Sequence, residues 1–309
     1  MIYTLTMNPT LDITYVVNEI DFGEPVRALE VVKTPGGKGI NVSRALRAMG
    51  TDSVAMGMVG GYVGEEVLDL LREEGLILQI AKIKSETRTN VIVVGRHGNQ
   101  QLVIRAMGPP VDHGETETVT GMIFRTAVAP EVLVLSGSLP PGVDPGIYRE
   151  ITVEGKSRGS KVVIDSEGPP LSEGIQAGPY LIKPNLVELQ ELAGRSLVAD
   201  KDIIEFCKTL NERGVETVVV SMGPDGALLV SDDAVLRGHV PSLSDDTVGA
   251  GDSMVAGLLI GMVQDLPIER TFHIGLACSV SAIMNKGPGL AEPETFASAF
   301  PLVNIEKLS

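Results

Sequence analysis

Apolar positions fall into short blocks separated by longer amphipathic stretches. Residues 2–7 form a short apolar strand that runs into Asn8-Pro9-Thr10-Leu11-Asp12, a turn that ends it. From Ser53 onward the pattern alternates: strand 54–59, helix 64–74, strand 79–83, then helix 116–128, strand 132–135, helix 145–158 and strand 161–165. Residues 216–221 and 227–230 read as two further strands, and 254–263 as a buried helix, apolar throughout and free of proline. Such a rhythm implies an α/β fold with a parallel sheet and helices on both faces. Ligands of open sheets collect at the carboxyl ends of the strands, which draws attention to Asp12, Ser136-Gly137-Ser138 and Asp165.

Two stretches break the rhythm. Residues 13–17 and 26–33 alternate and are rich in Val; so do 90–95 and 101–105, joined through Arg96-His97-Gly98-Asn99, a hairpin-like turn. They predict a small β structure outside the main sheet, in excursions at about 12–34 and 86–107.

The length of 309 residues fits two average domains or one large α/β domain with an excursion, and we read 1–309 as one. Hydrophobic residues make up 43%, but Trp is absent, so the core must rest on aliphatic side chains and Met. A net charge of −15 argues against nucleic acid or an anionic membrane as partner. It also means that any phosphorylated ligand must be held by local basic groups and backbone donors. Cys207 and Cys278 form no CxxC, which suits a reducing cytoplasm, and the four histidines lack zinc-ligand spacing. No signal peptide is evident, and no charge-free apolar run reaches the ~20 residues that span a bilayer.

Candidate chemistry centres on Gly249-Ala250-Gly251-Asp252, directly before the buried helix. Amides at a helix start are unpaired and carry partial positive charge, so the N–H groups of Gly249, Ala250 and Gly251 suit an anion. Asp252 either caps the helix or accepts a proton from an attacking hydroxyl. A second glycine cluster, Gly36-Gly37-Lys38-Gly39-Ile40-Asn41, opens a helix ending at Gly50; it is not a phosphate-binding G-x-x-x-x-G-K-[ST] loop. Asn41 offers both a donor and an acceptor, while Lys38 either reaches a phosphate or is solvated. Asn185 and Glu188, three apart at a helix start, either form a capping box or hold a hydrated Mg²⁺. Ser221-Met222-Gly223-Pro224-Asp225-Gly226 is a tight loop between strands, suited to phosphates or merely to a hairpin.

With Asp12, Thr87-Arg88-Thr89-Asn90, Ser136-Gly137-Ser138-Leu139-Pro140-Pro141-Gly142 and Lys183-Pro184-Asn185, these motifs resemble, in order and across almost the whole chain, the ribokinase-like (PfkB) carbohydrate kinases, and their phosphofructokinase branch in particular. The resemblance implies a ribokinase-like three-layer fold with a mostly parallel central sheet and a small β-sheet lid, often also the dimer contact. It implies Asp252 as base, with the Gly249, Ala250 and Gly251 amides on the transferred phosphoryl group. Asp12, Gly36, Gly37, Lys38, Asn41, Arg88, Asn90 and Ser138 are then expected at the sugar, and Lys183, Asn185, Ser221, Gly223, Gly226 and Asn285 at ATP. Asn185 and Glu188 are expected to organise Mg²⁺ through water. By similarity to cation-binding relatives, Val248, Ala282, Asn285 and Gly287 are candidates for a K⁺ site.

Arg27, Lys38, Arg88 and Arg105 flank the excursions and are the candidates for a phosphate on the sugar, since Arg recognises phosphate bidentately. The resemblance splits here: Pro25 stands where minor-type 6-phosphofructokinases carry lysine, Lys38 resembles 1-phosphofructokinases and tagatose-6-phosphate kinases, and Arg105 resembles the 6-phosphofructokinases. The expected substrates are therefore fructose 6-phosphate or fructose 1-phosphate, with tagatose 6-phosphate, an unphosphorylated sugar or a nucleoside as alternatives. A nicotinamide-dependent dehydrogenase does not fit, because the first βα turn lacks G-x-G-x-x-G with an acidic residue ~20 positions on. A catalytically silent sugar-binding regulator is the other reading.

Overall fold

The computed structural model describes residues 1–21, 23–97, 100–125, 129–241, 249–285 and 289–309. Ten strands form the large sheet: β1 (Ile2–Thr6), β4 (Ser53–Val59), β5 (Ile77–Lys82), β8 (Val132–Ser136), β9 (Lys161–Asp165), β10 (Leu181–Ile182), β11 (Thr217–Ser221), β12 (Ala227–Ser231), β13 (Val235–His239) and β14 (Asn304–Lys307). Their order is β14-β13-β12-β11-β10-β9-β8-β1-β4-β5. All pairs from β5 to β11 are parallel, and β11 to β14 pair antiparallel.

Alternate side chains of the parallel strands enter two different cores, which is why these strands read as unbroken apolar runs. In β8, Leu133 and Leu135 pack with one layer while Val132 and Val134 pack with the other. The first layer is covered by α3 (His113–Phe124), α4 (Ile147–Ser157), α5 (Gly168–Ile175), α6 (Leu186–Ala193) and α7 (Asp200–Asn211). The second is covered by α1 (Lys38–Ala48), α8 (Ala250–Val263), α9 (Ile268–Met284) and α10 (Pro293–Ala299). Helix α8 is apolar around its whole circumference because α1 and α9 flank it and almost every side chain is buried.

A second sheet of four strands, in the order β3-β2-β6-β7, comprises β2 (Thr10–Val17), β3 (Glu30–Gly36), β6 (Arg88–Gly95) and β7 (Gln101–Ile104). Its central pair, β2 and β6, is parallel, with Thr10 opposite Arg88 and Asp12 opposite Asn90. Leu11 of β2 packs with Val67, Leu68 and Leu71 of α2 (Gly61–Glu73), fixing which face of this sheet turns inward.

Three sequence expectations are corrected. The turn after β1 spans only residues 7–9: Thr10 already pairs with Gly36 and Arg88, so sheet pairing overrides the turn signal of Asn8-Pro9. Asp12 therefore stands inside a strand of the small sheet and not at the end of a main-sheet strand. Gly36 closes β3, and the helix begins at Lys38 after Gly37, whose φ of 119° only glycine adopts readily. Helix α3 begins at His113, ahead of the expected 116, because Asp112 and Glu115 form a reciprocal capping box. The small sheet draws its strands from residues 10–17, 30–36, 88–95 and 101–104.

Candidate active site

The carboxyl ends of β1, β8, β9, β10 and β11 and one face of the small sheet enclose a cleft of ≈ 1250 Å³. Of the expected residues, Asp12, Gly37, Lys38, Asn41, Arg88, Asn90, Arg105, Ser138, Lys183, Asn185, Glu188, Ser221, Gly223, Gly226, Gly249, Ala250, Gly251 and Asp252 line it. The cleft has three regions with different chemistry.

At the small sheet, alternate positions of β2 and β6 point inward and bind one another. Asn90 Nδ2 donates to Asp12 Oδ1 at 2.8 Å, and Asn90 Oδ1 accepts from the Ala106 amide at 3.1 Å. Arg88 donates to the carbonyls of Ala106 (2.6 Å) and Asn8 (2.8 Å), while its Nε is buried without a partner. Burial holds the Asp12 carboxyl above its usual range, against the pull of Asn90 and Arg88, and lowers the Arg88 guanidinium. Arg105 sits on the exposed rim. Gly36 does not line the cleft; it lies behind Asp12, whose Oδ2 leaves no room for a side chain there. Arg27 lies on the exposed segment before β3 and does not line the cleft either.

In the middle, four elements bring charged groups together. Asp252, in the first turn of α8, accepts a hydrogen bond from Asn41 Nδ2 of α1 at 2.8 Å. Asp165, at the end of β9, meets Lys183 Nζ at 3.3 Å and Lys38 Nζ at 3.4 Å, both on Oδ1, while its Oδ2 is buried without a hydrogen bond. Burial would raise the Asp165 carboxyl, but the two lysines outweigh it and hold it below its usual range. Burial, then the nearby Asp165 charge, pushes Asp252 up to about 6 against the pull of Asn41 and the lysines. A carboxylate so placed is ionised at neutral pH yet basic enough to take a proton. Gly249 starts α8 with φ 84°, and a side chain there would run into the Gly289 carbonyl, so only glycine fits. The amides that open α8 are the first of a helix of 14 residues and present their dipole to the cleft.

The third region is less polar. Gly223, Pro224 and Gly226 form its floor, and Leu276, Ser279, Val280 and Ile283 of α9, with Val240, form a wall. Asn185 and Glu188 do make the capping box: Glu188 Oε2 accepts from the Asn185 amide (2.8 Å) and Asn185 Oδ1 from the Glu188 amide (2.9 Å). Glu188 Oε1 stands outside the capping box and faces Lys38 Nζ at 3.7 Å. Lys183, expected at ATP, is paired with Asp165 beside the α8 N-terminus. Ala282 is buried within α9, and Asn285, at its end, spends its amide on the Leu290 carbonyl at 2.6 Å; neither lines the cleft. Val248 and Gly287 lie outside the described residues.

Sequence reading missed Asn8, whose amide bridges the Met107 carbonyl (3.0 Å) and Ser138 Oγ (3.3 Å) and so ties the small sheet to the β8 loop. The resemblance also implies that the helices after Asp252, together with Ala282 to Gly289, wall the adenine pocket; Leu276, Ser279, Val280 and Ile283 of α9, at helical spacing, do line the cleft, but they were not singled out in the sequence, and residues 286–288 lie outside the described residues.

Residues 4–295 match the family described as pfkB family carbohydrate kinase. The chain is a member of the pfkB family. It is thereby a phosphotransferase with an alcohol acceptor. This carbohydrate kinase is 35% identical over 293 residues to the 1-phosphofructokinase of Bacillus subtilis (strain 168), covering 94% of this chain and 95% of that one. It is 30% identical over 311 residues to the tagatose-6-phosphate kinase of Staphylococcus epidermidis, covering 99% of each. Its fold superposes on phosphofructokinase-2 from Escherichia coli, solved in complex with substrates and products, with a TM-score of 0.92 and 30% identity over 97% of this chain and 98% of that one. The same neighbour has been solved in complex with potassium.

Proposed function

We propose that this pfkB kinase transfers the γ-phosphoryl group of ATP to a hydroxyl of fructose 1-phosphate or fructose 6-phosphate, giving fructose 1,6-bisphosphate. One observation carries the reading: Asp252 is buried at the N-terminus of α8, with a two-arginine, one-carboxylate constellation on the small sheet across the same cleft. In this reading Asp252 accepts the hydroxyl proton while the Gly249, Ala250 and Gly251 amides stabilise charge on the transferring group. Asp12 and Asn90 hold sugar hydroxyls. Arg88 and Arg105 meet the phosphate already on the sugar, and local positive charge there offsets the chain's net −15. ATP lies with its phosphates on Gly223 to Gly226 and its base against the α9 wall. Arg27 drops out of the set because it lies away from the cleft.

The donors at Asn185 and Glu188 fit a hydrated Mg²⁺, since both offer hard oxygen atoms and Glu188 Oε1 is not used by the capping box. Mg²⁺ would neutralise charge on the ATP phosphates. Dependence on K⁺ rests on the potassium complex of the Escherichia coli neighbour. Exposed Val31, Val32, Val103 and Ile104 on the small sheet support self-association there as a homodimer. Free, buried Cys207 and Cys278 suit the cytoplasm, and no helix among the described residues is long and apolar enough to cross a membrane.

Tagatose 6-phosphate is the second reading, favoured by the Staphylococcus epidermidis relative. The deciding measurement is ADP release with ATP and Mg²⁺ against fructose 1-phosphate, fructose 6-phosphate, tagatose 6-phosphate and unphosphorylated fructose in parallel. We expect a ketohexose phosphate to give the highest kcat/KM. Turnover of fructose alone would overturn the assignment of Arg88 and Arg105.

A further inference from the structure

The cations of the cleft fall into two separate groups. Arg88 and Arg105 belong to the small sheet, where Arg88 is fixed by two main-chain carbonyls. Lys38 and Lys183 belong to the large-sheet edge and converge on a single oxygen, Asp165 Oδ1. Lys183 is immobilised there, its side chain only 5% exposed. Lys38 differs: its side chain is 33% exposed, and its ammonium rests between two acceptors at 3.4 Å and 3.7 Å, Asp165 and Glu188, longer than a good charged hydrogen bond. Its stem is long enough to leave them without moving helix α1.

Chemistry then separates the two groups by role. In a ketohexose phosphate the phosphate and the terminal hydroxyl that is attacked stand at opposite ends of a six-carbon chain. If that hydroxyl sits at Asp252, the existing phosphate cannot also sit beside Asp252. Lys38 faces the cluster that contains Asp252, Asp165, Glu167, Glu188 and Lys183, not the arginine pair. The geometry points to Lys38 as a catalytic cation that leaves Asp165 and Glu188 to bind a non-bridging oxygen of the phosphoryl group in flight, and not as a ligand of the acceptor's own phosphate. This rests on the kinase reading given above and deepens it.

The acceptor oxygen forms a bond to the γ-phosphorus, the bond from that phosphorus to the bridging oxygen breaks with its electron pair going to ADP, and the hydroxyl proton passes to Asp252. Lys38 stays protonated throughout and donates a hydrogen bond that strengthens as charge redistributes over the equatorial oxygens. Its contribution therefore appears in the transition state more than in either ground state.

The test is the split between kcat and KM in Lys38→Met, Lys38→Arg and Arg88→Gln. For Lys38→Met we expect kcat to fall ~10²- to 10³-fold while KM for the sugar phosphate moves less than about threefold. Lys38→Arg should recover part of kcat, which a purely structural role for the side chain does not predict. Arg88→Gln should show the opposite split, with KM rising more than about tenfold and kcat changing less. A Lys38→Met enzyme with raised KM and unchanged kcat would place Lys38 on the acceptor's phosphate and overturn the inference. Should Lys38→Met fail to fold, Lys38→Gln and Lys38→Arg give the same reading. If the parent enzyme phosphorylates only an unphosphorylated sugar, the substrate assignment fails, yet kcat loss in Lys38→Met with that sugar still upholds the role of Lys38.

Discussion

The two ends of the cleft are built on opposite principles. At the small sheet, Asp12, Asn90, Arg88 and Asn8 are already bound to one another and to main-chain groups, so the site is a preformed hydrogen-bonded surface. At the large-sheet edge, Asp252, Asp165, Lys38 and Lys183 are crowded in a buried place where like charges lie close, and Asp252 is destabilised as an anion. Orientation is stored at one end and electrostatic tension at the other. A preorganised surface serves recognition, since it loses little freedom on binding. A buried carboxylate held against its preference serves proton transfer, at a cost to stability.

The largest effect is expected for Asp252→Asn. Turnover should fall ~10³-fold or more while ATP still binds, because loss of a positioned base removes most of its contribution. In the parent enzyme kcat should decline below pH about 6 as Asp252 takes up a proton. The sign for stability is opposite. A carboxyl whose folded value is raised stabilises the fold below its unfolded value and loses that contribution as pH rises through about 6. Asp252→Asn should therefore raise Tm at pH 8, by the equivalent of up to about 3 kcal/mol. Unchanged kcat, or a lower Tm with a normal pH profile, would show that Asp252 only caps the helix.

At the recognition end, Asn90→Ala removes the donor to Asp12 and the acceptor for Ala106. It should lower kcat/KM by ~10- to 100-fold, mainly through KM, with the ATP dependence unaltered. An equal loss in kcat would mean that this end also acts on the transition state. The smallest effect is expected for Arg105→Ala, about three- to tenfold in KM for the phosphorylated sugar and none for an unphosphorylated one, because an exposed rim charge is screened by solvent.

The strength of each sequence signal follows the same division. The large sheet was legible because its strands are buried on both faces and read as continuous apolar runs, as in residues 132–135. Asp252 and the glycines before it were legible because helix-start chemistry is local in sequence. Asp12 was placed in a turn because Asn8-Pro9 is a true turn signal, while the pairing that claims Thr10 comes from Gly36 and Arg88, far along the chain. The pairing of Lys183 with Asp165, and the withdrawal of Arg27 and Asn285 from the cleft, likewise depend on where distant elements meet. Asn185 and Glu188 show the converse: the local capping box forms as spacing predicts and still leaves one carboxylate oxygen for other work.

The parallel pairing of β2 with β6 sets a rule for how this chain can vary over evolution. Thr10 and Asp12 face the cleft and Leu11 faces α2, so the two faces alternate residue by residue. Losing or gaining a single residue between Pro9 and Asp12 would swap every side chain of the strand to the other face, sending Leu11 into the cleft and Asp12 into the apolar packing on α2. The Asn8 to Asp12 interval is therefore expected to keep its length wherever the cleft keeps its Asp12.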